Sequence, residues 1–335
     1  MSAAPYELIL RHPDLLAADT LVLSAEPRVP GAFLQELRDR QATFHTWDWM
    51  TRCAVFRPDD DKVRFAVPDT AALAGFSRIV LVWPKSKVLA LALIGLACEA
   101  GIPVFAIGAN DAGGKSIGTA CKNLTTAERL DSARHCSLWE LTPLTSGNND
   151  FNWIKLAKAF QYQHLKLLTL PGVFSHGSLD QGTALLLQHL PRLKGNLLDI
   201  GCGSGVIGLS QKHQNNQLHL TMVDTDAFAL HSAALNCTRL GLDATLIASD
   251  GFSEVKGRFD TIVSNPPFHT GKETDYRFAE QLLSECAGHL KSHGSLWLVA
   301  NRHLPYEEWA QRHFADVEMI DQGYGFKVIR ASHPG

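Results

Sequence analysis

Between residues 196 and 300 short apolar runs alternate with amphipathic stretches, and the first run ends in a glycine loop, Leu197-Leu-Asp-Ile-Gly-Cys-Gly-Ser-Gly205. Asn196–Ile200, Leu218–Val223, Ala244–Ala248, Phe259–Ser264 and Ser295–Ala300 read as buried strands. Helices are predicted at Val206–Lys212, at Ala227–Leu240 with a stop at Gly241, and at Arg277–Leu290. Strands alternating with helices demand a parallel, doubly wound α/β sheet, because each crossover needs a helix on one face or the other. Two last runs, Ala315–Ile320 and Gly325–Ala331, are joined by Asp321-Gln-Gly-Tyr324, short enough for an antiparallel terminal hairpin.

A fainter version of this order fills the first half. Strands are expected at Thr20–Ser24, Thr43–Trp49, Lys62–Val67, Arg78–Trp83 and Ile102–Ile107, with helices at Gly31–Arg40 and Val88–Ala100. Leu21 aligns with Leu197, Thr43 with Leu220, Phe76 with Phe259 and Gly101 with Gly294, a slow drift that points to an internal duplication. The turn formers Pro143-Leu-Thr-Ser-Gly-Asn-Asn-Asp150 supply a linker, giving domains over 1–145 and 152–335. A chain of 335 residues is long enough for two.

Composition excludes several classes. With 45% apolar and 19% charged residues the chain can bury ordinary cores. No apolar run reaches the roughly 18 residues of a membrane helix, and no basic segment precedes an apolar one at the N-terminus, so no signal peptide is expected. The 7 cysteines are scattered without a C-x-x-C pair, which fits a reducing, cytoplasmic setting rather than a disulfide framework or zinc cluster. No H-E-x-x-H spacing occurs, and no metal is expected. Residues 1–150 carry 15 Lys/Arg against 17 Asp/Glu, and the remainder 16 against 17. Net charge therefore announces no nucleic-acid partner; one would need a local basic surface.

The glycine loop sets the chemistry. Gly201, Gly203 and Gly205 spare Cβ atoms where a ligand can lie against backbone, and the following helix offers free N–H groups. The G-x-G-x-G spacing is not that of a dinucleotide site, and no phosphate-binding G-x-x-x-x-G-K-[ST] exists. Asp199, just before the glycines, would repel a pyrophosphate and suits an amino or cationic group. Asp224, 19 residues after Gly205 at the next strand end, is placed for ribose hydroxyls; Asp226 reads as a helix N-cap. Asp250, after the third strand, can accept from an adenine amino group with Phe252 near the ring, although both also fit an ordinary turn.

Ser264-Asn-Pro-Pro-Phe268 follows the fourth strand, 60 residues after Gly205 for its Asn265. Two prolines make a rigid loop at the carboxyl edge of the sheet. The residue before proline is held extended, so Asn265 aims its side chain from a fixed backbone. Its Oδ1 and the Pro266 carbonyl can present two acceptors to one planar amino group, while Pro267 stiffens the loop and Phe268 offers a stacking face.

The run D-I-G-C-G-S-G followed by Asp224 and Asp250 resembles the class I S-adenosylmethionine-dependent methyltransferases. That resemblance implies a cofactor site of Asp199, Gly201, Cys202, Gly203, Gly205, Asp224, Thr225, Asp250, Gly251, Phe252 and Asn265. N-P-P-F resembles the [N/D/S]-P-P-[Y/F/W] motif of enzymes that methylate exocyclic or amide nitrogens. Three further segments narrow the choice: Leu168-Thr-Leu-Pro-Gly-Val-Phe-Ser175 with Leu179-Asp-Gln-Gly-Thr183, then Ser253-Glu-Val-Lys-Gly-Arg-Phe-Asp260, and Asp131-Ser-Ala-Arg-His-Cys136. With the tandem first domain they are similar to the ribosomal RNA small subunit methyltransferase C family, from about Leu8 to Ala331. The family's plan implies two tandem class I methyltransferase (Rossmann-like) domains with mostly parallel seven-stranded sheets. The first is degenerate and serves folding and RNA recognition; Trp83-Pro-Lys-Ser86 stands there in place of N-P-P-F.

The same resemblance implies S-adenosyl-L-methionine as methyl donor and methylation of the N2 of a guanine, guanine-1207 in ribosomal numbering. The substrate would be 16S rRNA within the 30S subunit, and the enzyme a cytoplasmic monomer. Phe174, Ser175 and Thr183 become further cofactor contacts. At the mouth, His269 and Lys272 after N-P-P-F, Arg302 and His303 after the fifth strand, and Lys85 and Lys87 in the first domain are the expected RNA contacts. A 23S rRNA guanine-N2 methyltransferase is the close alternative, and a non-catalytic RNA-binding or chaperone protein with a relic site the distant one.

Overall fold

In the computed structural model, which describes residues 3–55, 61–145, 147, 150–266 and 272–334 (backbone alone for 272–278), the chain divides into units Met1–Ala157 and Lys158–Gly335. The first holds strands β1 (Thr20–Leu23), β2 (Thr43–Thr46), β3 (Val63–Phe65), β4 (Arg78–Val82), β5 (Val104–Ala109), β6 (Thr125–Ala133) and β7 (Cys136–Pro143). Its helices are α1 (Ala4–Ile9), α2 (Gly31–Asp39), α3 (Trp49–Val55), α4 (Thr70–Leu73), α5 (Lys87–Glu99) and α6 (Ile117–Cys121). The second unit opens with a hairpin, β8 (Lys158–Tyr162) and β9 (Leu165–Thr169). Its main sheet is β10 (Asn196–Ile200), β11 (His219–Asp224), β12 (Thr245–Ala248), β13 (Phe259–Ser264), β14 (Leu290–Asn301), β15 (Phe314–Gly323) and β16 (Phe326–Pro334). Its helices are α7 (Gln181–His189), α8 (Val206–Gln214), α9 (Ala227–Leu240), α10 (Lys272–His289) and α11 (Tyr306–Ala310).

The two seven-stranded sheets have one order, β3-β2-β1-β4-β5-β7-β6 and β12-β11-β10-β13-β14-β16-β15. The first five strands of each are parallel and the last two form the antiparallel hairpin. Both units are thus α/β, Rossmann-like domains of the expected class. Leu197–Ile200 are all buried, as a central strand covered on both faces requires. Strand alternation divides them: Leu198 and Ile200 join the core with Leu282, Leu283 and Trp309, while Leu197 joins Ile207, Leu209 and Leu220.

Some elements differ from expectation. α10 starts at Lys272, and β14 starts at Leu290. β6 escaped the sequence reading because its residues from Thr126 to Leu130 are exposed, so no apolar alternation marks it. Residues beyond the turn-rich segment stay with the first unit as far as Ala157. Trp153 holds them there, buried, with its Nε1 donating to the Pro68 carbonyl at 2.6 Å.

The first sheet has closed the strand end that the second leaves open. Ser24 N–H donates to the His45 carbonyl just as Gly201 N–H donates to that of Val223, so Ser24 stands in the place of Gly201. Its Oγ lies 2.7 Å from the Tyr6 hydroxyl, which donates to the Glu26 carbonyl at 2.9 Å. Tyr6 is fully buried against Phe33. Tyr6→Ala should lower the unfolding free energy of the first unit by about 3–5 kcal/mol, the usual cost of deleting a large buried ring. Chemical denaturation measures it; a loss below about 1 kcal/mol would remove Tyr6 as the anchor of this end.

Candidate functional site

Parallel pairing brings the expected site together at one sheet edge. Ile200 pairs with Val223 on one side and Ser264 on the other, so the glycine loop, Asp224 and Asn265 leave the sheet side by side. Two bonds tighten this edge: Ser264 Oγ donates to the Ile200 carbonyl at 2.9 Å, and Gly203 N–H donates to Asp224 Oδ2 at 2.9 Å. Asp224 Oδ1 accepts from Asp226 N–H at 3.0 Å, and Asp226 Oδ1 accepts from Phe228 N–H as the cap of α9.

The glycines divide by role. Gly201 and Gly203 sit at φ +69° and +54°, and a Cβ on either would meet nothing within 4 Å. Their backbone borders open space. Gly205, also left-handed at φ +83°, is different from expectation: a Cβ there would lie 3.0 Å from Met222 Sδ and 3.1 Å from Leu209 Cδ1. Its missing side chain lets α8 pack onto the sheet. Gly208, which the sequence reading passed over, repeats the device, since a Cβ would lie 2.7 Å from Leu220 Cδ1. The extended pattern G-x-G-x-G-x-x-G was its signal, and because Gly203, Gly205 and Gly208 themselves repeat G-x-G-x-x-G, glycine spacing alone does not exclude a dinucleotide, contrary to the sequence reading.

Close packing of α8 explains Asp199. Its Oδ2 accepts the otherwise unpaired first-turn N–H of Gly208 at 2.9 Å, where the helix dipole favours an anion. Its Oδ1 is buried with no hydrogen-bond partner. Burial dominates, aided by the nearby Asp224 charge, and lifts the carboxyl from 3.8 to about 7 against the opposing Gly208 bond.

Asn265 is half-buried, and its Nδ2 donates to Asp180 Oδ2 at 3.0 Å and Thr183 Oγ1 at 2.8 Å. Asp180 caps α7 by accepting from Thr183 N–H at 2.9 Å. Thr183, expected at the cofactor, is therefore a partner of Asn265. Pro266 is buried. Pro267, Phe268 and His269 lie outside the described residues, as does the side chain of Lys272, whose backbone opens α10.

Asp250 is exposed and Gly251 half-buried after β12. Phe252 is a core residue, contrary to expectation: it is 5% exposed and stacks on His289 of α10 at 4.5 Å. The turn of Ser249–Ser253 explains this, since Ser249 Oγ donates to the Gly251 carbonyl and accepts from Glu254 N–H. Thr225 is half-buried beside Asp224, and Cys202 is buried with its thiol pushed up by desolvation. In the loop between β9 and α7, Phe174 is 61% exposed and Ser175 takes φ +56°.

That loop hangs from α9. Asn236 accepts from Leu168 N–H and donates to the carbonyls of Leu168 and Ser204, joining β9 to the glycine loop. Ser232 accepts from Leu170 N–H at 3.1 Å. Neither residue carries a sequence signal, because a buried polar helix residue gains its meaning from what packs on it. Arg302 and His303 are exposed in the turn after β14. Tyr324, also missed, is 75% exposed at the tip of the β15–β16 hairpin, whose Gly325 carbonyl accepts from Arg302 N–H. Lys85 and Lys87 are exposed in the first unit, Lys87 opening α5.

Asp199 gives a pH signature. The folded chain keeps a proton on this group between about pH 4 and pH 7 that the unfolded chain releases, so its ionisation makes the free protein less stable as pH rises through that window. Asp199→Asn should therefore be more stable than wild type near pH 8, by no more than about 4 kcal/mol, and close to it near pH 4. Urea unfolding at both pH values measures this; an equal difference at the two would show that Asp199 is not the group responsible.

Residues 164–330 match the family model of the methyltransferase small domain, and residues 6–160 that of its N-terminal domain. A Pseudomonas syringae protein called ribosomal RNA small subunit methyltransferase C is 35% identical over 337 residues, covering 98% of each chain. One of the same name from Pseudomonas paraeruginosa is 38% identical over 341 residues, again covering 98% of each. Among solved structures, the T. thermophilus 16S rRNA N2 G1207 methyltransferase, in complex with AdoMet and guanosine, is similar in fold. Its TM-score is 0.77 at 22% identity, over 93% of this chain and 88% of that one. Aligned nearly end to end with relatives of that name, the chain belongs to the ribosomal RNA small subunit methyltransferase C family.

Proposed function

We propose that this protein transfers a methyl group from S-adenosyl-L-methionine to the exocyclic N2 of a guanine in 16S rRNA, at the position corresponding to guanine-1207, within the small subunit in the cytoplasm. The observation that carries the reading is Asn265. Both of its amide protons are engaged by α7, which leaves Oδ1 as an acceptor beside the Pro266 carbonyl at the edge shared with Asp199 and Asp224.

The residues fit the donor. The space over Gly201 and Gly203 is open to backbone contact, and the unpartnered Asp199 Oδ1 is suited to an ammonium group, directly or through a water. Asp224 keeps acceptor capacity for ribose hydroxyls, since each carboxylate oxygen has further lone pairs. Asp250 is exposed for an adenine amino group. When bound, S-adenosylmethionine supplies a methyl group activated by its sulfonium. The protein's part is then electrostatic and positional. An aromatic amine delocalises its lone pair into the ring. Two acceptors on its protons favour a nitrogen whose lone pair is aimed out of the ring plane, and they stabilise the positive charge that grows there. The methylated nitrogen is acidic and sheds its proton without a strong base.

RNA contact falls to groups at the same edge. Arg302 and His303 are exposed for phosphates, and Tyr324 offers an uncovered ring to a base. The target guanine must leave its stack to reach Asn265, at a cost of about a few kcal/mol that such contacts offset.

Labelled methyl donor incubated with 30S subunits, 50S subunits and free 16S rRNA should label the 30S particle, on N2 of one guanine. Label confined to 50S subunits would move the protein to the large-subunit activity. Calorimetry should show one S-adenosylmethionine per chain, because Ser24 and Tyr6 close the equivalent edge of the first unit. Asn265→Ala should cost about 3–4 kcal/mol in turnover while leaving donor affinity within about threefold; turnover above a tenth of wild type would refute the role given to Asn265.

A further inference from the structure

The partners of Asn265 decide more than its position. Asp180 Oδ2 accepts from both Thr183 N–H and Asn265 Nδ2, at 2.9 and 3.0 Å, and Thr183 Oγ1 accepts from the same Nδ2 at 2.8 Å. An ionised carboxylate has no proton to donate, so the amide atom facing it must be nitrogen. The flipped amide would set its oxygen against the Asp180 carboxylate and lose that bond, because the Thr183 hydroxyl can turn to donate whereas the carboxylate cannot; one lost charge-assisted bond holds the flipped form to about a few per cent or less. The clasp is also closely packed: a Cβ on the intervening Gly182 would lie 3.1 Å from Asp180 Oδ2 and 3.1 Å from the Phe326 ring.

We propose that Asp180 and Thr183 are positioning residues that clasp the Asn265 amide, Asp180 fixing its polarity and Thr183 its orientation, so that the site presents oxygen and selects a nucleobase amino group over a carbonyl or ring-nitrogen acceptor. This rests on the methyl-transfer reading of the site. An asparagine free to flip offers either a donor or an acceptor, and would hold the wrong edge of a base as readily as the right one. A clasped asparagine repels a carbonyl. Asp180 lies 85 residues before Asn265 in the chain, and it reaches the site because the first turn of α7 stands over the end of β13.

The clasp can be removed without removing the helix cap. Serine is a good N-cap, yet in Asp180→Ser the side chain is too short to reach Asn265; Thr183→Val deletes the second acceptor. Each change should lower kcat for methylation of 30S subunits about tenfold, and the pair about a hundredfold, with KM for the subunit and donor affinity within about threefold. Asp180→Asn keeps an acceptor oxygen and should retain kcat within about threefold. A second pair tests polarity itself. Asn265→Asp faces one carboxylate with another and should be nearly inactive, and adding Asp180→Asn should recover activity at least about tenfold, because an amide can donate where a carboxylate cannot.

A kcat within about threefold of wild type in Asp180→Ser/Thr183→Val, with Asn265→Ala inactive, would overturn this inference and leave the site reading standing. Activity retained in Asn265→Ala would overturn the reading beneath it. Melting temperature and donor binding report whether each variant folds. Should the serine variant not fold, the outcome is decided by the second pair: no recovery there overturns the proposal.

Discussion

β10 lies between β11 and β13 in parallel register, and the chemistry of the second unit depends on that pairing. Parallel strands all deliver their carboxyl ends to one side. The glycine loop, Asp224 and the Asn265 loop are therefore neighbours although the chain between them runs through two helices and a third strand. The side-chain bond from Ser264 to the Ile200 carbonyl and the bond from Gly203 to Asp224 stitch the three ends together. Neither the acceptor pair at Asn265 nor the carboxylate at Asp199 would be aimed anywhere useful if this register slipped by one residue, because alternate side chains face opposite layers.

Asp199 shows what such a site costs the fold. A carboxyl in the centre of a sheet gains one hydrogen bond from Gly208 and loses its hydration. The free protein meets that cost by holding a proton at and below about neutral pH. The oxygen left without a partner is available to a cationic group, so on the proposed function a feature that weakens the free fold would favour the ligand. Gly208 belongs to the same compromise: a side chain there would push α8 off Leu220 and take its N–H away from Asp199.

The two units show how one sheet order supports opposite outcomes. Both place their strands identically, down to the bond from the first residue past the central strand to the carbonyl of its neighbour. In the second unit that residue is Gly201, and the backbone is left bare. In the first it is Ser24, bonded to the buried Tyr6, and the space is filled from α1. Losing a ligand site need not disturb a fold whose core lies elsewhere; a ring that fills the gap adds packing in its stead.

Much of this was legible in the sequence. Alternating apolar runs determined two α/β sheets and a terminal hairpin, since period and length leave few other solutions. The glycine loop, Asp199, Asp224 and Asn-Pro-Pro located the edge of the sheet at which they converge, because strand ends and prolines fix backbone locally. Residues whose role depends on a distant partner were not legible. Phe252 looked available beside Asp250, but its turn folds it against His289. Gly205 looked like ligand space, but Met222 and Leu209 close on it. Asp180 stood in the sequence only as part of Leu179-Asp-Gln-Gly-Thr183, yet the first turn of α7 delivers it to Asn265. Local pattern determined which groups stand at the edge of the sheet; only the tertiary structure decided which way they face, because a hydrogen bond takes its direction from a partner that the chain supplies 85 residues away.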